Sequence, residues 1–303
     1  MSIELRLSDV APPEPEPKRT IYRDIVNLPD PVKLGLTIRY FNHDDVGLYF
    51  QITGSGTGYS FGTVNLGLLA SGANAYQNLD EFASRAKPSS SDLPSGEKEE
   101  TITLTLKAYT DSGYTNLKWT YNRTITVKFI NSADPSYTTD VLNNFDDGTT
   151  QGWTATAELN TSCSLGVASD YVLSTPYSLR NDVSGTYTGG AQSRARINKS
   201  ITTPNKTSIY AIIDLRMHHG GGQGGVENCR VQSYIGTTLT TSIYLGRPYV
   251  QQGDPWVPED KWLRLVVPLP ANTTLELRLL QESYAGVGIA WYLWLDDFKV
   301  VSK

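Results

Sequence analysis

Trp291-Tyr292-Leu293-Trp294-Leu295-Asp296-Asp297-Phe298-Lys299-Val300 closes the chain with an apolar pattern that changes phase partway. Leu293 and Leu295 share one phase of a period-2 alternation, while Phe298 and Val300 share the other. Successive side chains of a regular strand point to opposite faces, so one core cannot receive both sets unless a residue is inserted between them. The pattern therefore predicts a long strand with a β-bulge at Asp296-Asp297. A second Asp pair beside aromatics stands in Asn144-Phe145-Asp146-Asp147-Gly148-Thr149-Thr150-Gln151-Gly152-Trp153. The two stretches lie about as far apart as the ends of one domain. They are expected to meet there as a clasp between the first and last strands.

Composition agrees with strands throughout. Charged residues make up only 19% of the 303, whereas Gly (26) and Tyr (18) are abundant, a balance that favours short strands and turn-rich connections. Residues 1–30 form an extended arm, because Ala11-Pro12-Pro13-Glu14-Pro15-Glu16-Pro17-Lys18 is polyproline-like and has nothing to pack. Residues 31–137 read as a first β-sandwich. Its clearest strand is Thr101-Ile102-Thr103-Leu104-Thr105-Leu106-Lys107-Ala108-Tyr109, with Thr facing water and Ile and Leu facing the core. The one candidate for a helical turn is 78–86. Residues 138–143 read as a linker, and 144–303 as a second β-sandwich with strands near 191–197, 208–217, 226–235, 242–245, 262–269, 274–280 and 290–301.

Roughly seven antiparallel strands in the first sandwich point to an immunoglobulin- or fibronectin-like arrangement. The Cys–Trp–Cys core of true immunoglobulin domains is absent. In the second, Phe145-Asp146-Asp147-Gly148 running to Gly152-Trp153 resembles the opening of jelly-roll, galactose-binding-like carbohydrate-binding modules. Ser178-Leu179-Arg180, Lys261-Trp262-Leu263-Arg264-Leu265-Val266-Val267-Pro268-Leu269 and Leu295-Asp296-Asp297-Phe298 resemble three of their later strands, in the same order. The resemblance covers about half the chain. It implies a jelly roll for the second sandwich and is not specific for sugar binding, so the chain reads as all-β, an immunoglobulin-like sandwich followed by a jelly roll.

The resemblance also implies a structural Ca²⁺ site, with Asp146 and Asp296 the best matches and Asp297 beside them. A bulge that re-aims carboxylates next to Asp146 would gather the hard oxygens this ion takes. The alternative is that these Asp residues cap turns and stay solvated. Sugar recognition needs flat aromatic faces with amides nearby. The candidates are Trp256, Tyr249, Tyr244 and Tyr234, with Gln232 close by in sequence; the alternative for the tyrosines is a place in the sheet. Asn122, Asn160, Asn198, Asn205 and Asn272 begin Asn-X-Ser/Thr sequons and are candidate glycosylation sites, although an Asn-, Ser- and Thr-rich chain also produces such triplets by chance.

Other chemistries find little support. His218-His219 point to opposite faces of a strand and do not share a zinc ion easily. The glycine run 220–225 lacks the Lys-Ser/Thr of a phosphate loop. No Ser or Cys has an identifiable base, and no spacing pairs Glu227, Glu276 or Glu282, so no enzyme is expected. With a net charge of −5 and no Lys/Arg run, nucleic acid is disfavoured. Cys163 and Cys229 either pair or stay reduced. There is neither an apolar run long enough to span a membrane nor a signal peptide at Met1–Asp9. The expectation is a non-catalytic structural or surface protein of an extracellular assembly, a virion spike or tail or a cell-envelope component. Its partners would be other subunits, with glycans attached through the jelly roll. The alternative is a carbohydrate-binding module or accessory fragment of a polysaccharide-degrading enzyme.

Overall fold

The computed structural model describes residues 2–4, 19–174, 176–185, 193–219, 227–246, 261–283 and 289–303. These residues divide into two compact units, one ending at Asp134 and the other beginning at Pro135. Both are built from strands, and no helix among the described residues is long and apolar enough to cross a membrane.

The first unit contains β1 (Ser2–Glu4), β2 (Arg19–Asp24), β3 (Val32–Phe41), β4 (Leu48–Ser55), β5 (Ser60–Phe61), β6 (Val64–Leu69), β7 (Asn74–Arg85), β8 (Glu97–Tyr109) and β9 (Leu117–Ile130). One sheet runs β1-β3-β7-β5 and the other β2-β9-β8-β4-β6. Leu34 and Phe82 of the first sheet share one core with Phe50, Ile102, Leu104 and Val127 of the second. The alternation read in 101–109 holds, since Ile102, Leu104, Leu106 and Ala108 are all buried. Two expectations are corrected. Residues 78–85 of that segment lie in β7, where cross-strand packing of Phe82 and Ala83 overrides any local helical tendency. The arm does not extend to residue 30, because β2 pairs in parallel with β9 and buries Ile21.

The second unit contains β10 (Thr138–Asn143), β11 (Thr154–Leu159), β12 (Thr161–Ala168), β13 (Ser178–Gly185), β14 (Ser193–Thr202), β15 (Ile209–His219), β16 (Glu227–Ile235), β17 (Thr238–Gly246), β18 (Leu263–Pro268), β19 (Thr274–Ser283) and β20 (Ile289–Ser302). One sheet runs β12-β13-β20-β15-β18, with β10 also paired to β20, and the other runs β11-β14-β19-β16-β17. The stretch expected as a linker, 138–143, is thus an edge strand. Its Thr139, Asp140 and exposed Leu142 hide the alternation that would have marked it.

The predicted bulge is present. Ile212 pairs with Lys299 and Asp214 with Asp296, so β20 carries one more residue than β15 across that interval. Asp297 has a φ of +50°, in the left-handed region. The extra residue lets Leu293, Leu295, Phe298 and Val300 all enter the same core. Asn143 pairs with Phe298, and the Trp153 ring meets the Phe298 ring edge-on at 5.2 Å, so the opening turn and the last strand do meet.

Candidate functional site: a groove on the five-stranded face

β14, β19 and β16 lie side by side, and each alternates strictly. Ala195 and Ile197, Leu277 and Leu279, and Cys229 and Val231 turn into the core. The intervening residues occupy the other face of this sheet, and the register sets them in rows. Arg194 stands opposite Glu282, while Arg196, Leu280 and Arg230 form one row across three strands. Gln232 stands opposite Arg278, and Tyr234 opposite Glu276. Together with Glu158 of β11, these side chains apart from Glu276 line a groove of about 220 Å³.

Ion pairs tie the groove together. Glu282, whose side chain is 3% exposed, accepts from Arg194 at 2.6 Å and lies 3.5 Å from Arg230. Glu158 pairs with Arg196 at 2.7 Å and lies 3.8 Å from Arg194. Glu276 pairs with Arg278 at 2.5 Å, and the Arg278 guanidinium lies over the Tyr234 ring, 3.9 Å from its centre. The Tyr234 hydroxyl donates to Gln232 Oε1 at 3.3 Å. Arg196 Nε is buried without a hydrogen-bond partner. A concave patch of guanidinium, amide and phenol groups beside one aromatic ring can bind a ligand rich in oxygen acceptors.

Of the residues expected to bind sugar, Tyr234 and Gln232 line this groove. The backbone of Tyr244 lies in β17 opposite Arg230, whereas Tyr249 and Trp256 lie outside the described residues. Sequence reading missed the four arginines, although a signal was present: Ser193-Arg194-Ala195-Arg196-Ile197 and Leu277-Arg278-Leu279 place Arg at alternate positions among apolar residues. Strand pairing gathers what the sequence scatters, and the chain has a basic cluster without any basic run.

The predicted calcium ligands are arranged differently from one another. Asp296 is fully buried. Its Oδ2 accepts from the backbone N–H groups of Leu173 (2.7 Å) and Ser174 (2.9 Å). Its Oδ1 accepts from the Ser174 hydroxyl (2.9 Å) and the Asp297 N–H (2.8 Å). Asp297 accepts from the Ser174 hydroxyl at 3.2 Å. Asp146 is exposed and bonds to the Asn144 amide, and Asp147 closes the turn onto Thr149. Donors already occupy the lone pairs of Asp296 that an ion would need, so this donor set does not fit Ca²⁺. Among the described residues, no group of three or more His, Cys, Asp or Glu side chains could hold a metal. Burial pushes the Asp296 carboxyl above its ordinary value, and the donors of Ser174 and Leu173 pull it part of the way back.

Both cysteines are free thiols, Cys163 half-buried and Cys229 buried. Of the sequon asparagines, Asn122, Asn160, Asn205 and Asn272 are exposed, and Asn198 is half-buried within β14.

No family model and no curated protein matches the chain. Among solved structures, it is similar to the CBM22-1 xylan-binding domain of Paenibacillus barcinonensis Xyn10C, with 20% identity over 54% of this chain and 93% of that one and a TM-score of 0.34. It is similar to the Caldicellulosiruptor saccharolyticus CBM27-1 solved with mannohexaose, with 16% identity over 52% and 94% and a TM-score of 0.37. A structure of carbohydrate-binding modules from the β-sandwich superfamily shares 14% identity over 94% of each chain, with a TM-score of 0.40.

Proposed function

We propose that the second unit is a non-catalytic glycan-binding module and that its ligand lies in the groove on the β11-β14-β19-β16-β17 face. The observation that carries this reading is the convergence of the Gln232 amide, the Tyr234 ring and hydroxyl and the Arg278 guanidinium on one concave patch. Sugars present hydroxyl oxygens around a ring, and the amide, phenol and guanidinium of this set address those oxygens. A glycan array probed with the purified protein and with Tyr234→Ala tests it. Binding that Tyr234→Ala weakens or abolishes is the expected result. No glycan bound, or binding indifferent to the change, rejects the groove as the site.

A second reading, membership of a surface assembly on a virion or cell envelope, is favoured by the first unit. Its two sheets, β1-β3-β7-β5 and β2-β9-β8-β4-β6, resemble those of an immunoglobulin-type sandwich, a frequent surface module. Leu68, Tyr49, Tyr109 and Leu117 stand directly opposite one another across β6, β4, β8 and β9. Tyr114 packs edge-on against both tyrosines, while Leu68 and Leu117 are 59% and 52% exposed. The exposed leucines at the two ends of this row support a contact surface there. Sedimentation velocity over a range of concentrations checks for self-association that Leu68→Glu with Leu117→Glu would abolish. A monomer at every concentration rejects self-association through this row.

A further inference from the structure

Granted that the groove binds glycans, the polarity of its hydrogen bonding depends on a residue outside its lining. We propose that Glu276 is a positioning residue that acts through Arg278 and Tyr234 to fix the Gln232 amide, leaving its N–H groups for the ligand. Tyr234 stands opposite Glu276 in the register and Gln232 opposite Arg278, so the four form a block across β16 and β19. Arg278 donates from Nε (2.8 Å) and from Nη2 (2.5 Å) to one Glu276 oxygen, Oε2. Its guanidinium is thereby held over the Tyr234 ring, 3.9 Å from the centre, and the Tyr234 hydroxyl donates to Gln232 Oε1 at 3.3 Å. Gln232, Tyr234 and Arg278 line the groove, whereas Glu276 does not.

A phenol hydroxyl can donate or accept, and a Gln side chain can offer either its oxygen or its NH₂ group. Taken alone, the contact between Tyr234 and Gln232 could therefore run in either direction. The cation resolves the choice. A guanidinium over the ring is attracted to its electron density and draws on it, which makes the hydroxyl a stronger donor and a weaker acceptor. Donation to Oε1 engages the Gln232 carbonyl and leaves its two N–H donors for a sugar oxygen. Glu276 is needed because an exposed cation–π contact is weak beside the rotamer entropy of a long Arg side chain. Two hydrogen bonds to one carboxylate hold the guanidinium where the ring alone would not.

Nitrogen-15 NMR of the full chain tests this, with the Gln232 side-chain amide signal assigned by its loss in Gln232→Leu. Glu276→Gln and Tyr234→Phe should both move that signal, in the same direction, towards the shifts of a free Gln side chain. Calorimetric titration with xylan, galactan and mannan gives the second readout. For a polysaccharide that binds, Tyr234→Phe should weaken binding about two- to tenfold, the effect of losing one hydrogen bond. Glu276→Gln should weaken it within the same range yet add nothing in the Tyr234→Phe background, because both changes break one chain of contacts. A Gln232 signal that ignores Glu276→Gln overturns the proposal. Additive losses overturn it too, as does binding indifferent to Glu276→Gln. If none of the three polysaccharides binds, the glycan reading is what fails, and the amide signal alone decides whether Glu276 positions Gln232.

Discussion

A carboxylate taken out of water costs several kcal/mol unless donors replace its hydration. Asp296 is fully buried and receives four donors, three of them from Leu173 and Ser174. Asp296→Asn keeps one acceptor oxygen and turns an NH₂ group towards backbone N–H groups. The expected cost is about 3 kcal/mol, from lost charge-assisted bonds and stranded donors, read by chemical denaturation of the second unit. A chelator should leave the wild-type midpoint in place, because hydrogen-bond donors hold the carboxylate. The phase change around Asp296-Asp297 was enough to place this bulge from sequence, since a period-2 pattern cannot change face without one. The carboxylate's partners were not legible, because Leu173 and Ser174 lie in an irregular loop that carries no periodic signal. Cys229 makes a second prediction. Burial raises its thiol from 9.0 to about 12 and also raises Cys163. A raised folded value means that this contribution is complete below pH 9 and is lost as pH climbs towards 12. Thiol titration near neutral pH should leave Cys229 silent in the native protein and count both cysteines in denaturant. A count of none in denaturant would mean a disulfide.

The strands that sequence reading missed are those whose faces are not cleanly divided. β10 pairs with the end of β20 but alternates Thr and Asp with an exposed Leu142, as an edge strand can. β11 and β12 are rich in Thr, Ser and Ala and give periodicity little to register. β2 follows a Pro/Glu run and shows a single inward apolar residue, Ile21, before the turn that buries Ile25. Yet β2 is integral to the first sandwich. Asp24 accepts from the Ser132 N–H at 3.1 Å and from its hydroxyl at 2.7 Å, which ties the strand to the end of β9. Ile21→Ala should therefore cost about 2–5 kcal/mol, the range for truncating a well-packed core residue. A detachable arm would show a change below about 0.5 kcal/mol, as surface substitutions do. Equilibrium denaturation of the first unit separates the two.

At the scale of the whole chain, sequence and structure disagree most over charge. Composition gives an acidic protein with no basic run, and that holds along the chain but not across a sheet. Antiparallel register sets Arg196 beside Leu280 and Leu280 beside Arg230, and no local window of sequence reports such neighbours. The division into two sandwiches was more legible, because each has its own set of inward residues and the strand signals stop and restart between them. The cores are separate clusters, one centred on Phe50, Phe129 and Leu104 and the other on Phe145, Trp153 and Phe298. A unit with its own core folds by itself when its chain is cut at a connection rather than through a strand. Residues 1–134 and 135–303, expressed separately, should each give a β-type circular dichroism spectrum and one cooperative melt. Trp153→Ala, which empties a buried site against Phe298, should cost about 3–5 kcal/mol in the second fragment. In the full chain the same change should lower the transition of the second unit and leave that of the first in place. A single transition that shifts as a whole would mean that the two cores unfold as one.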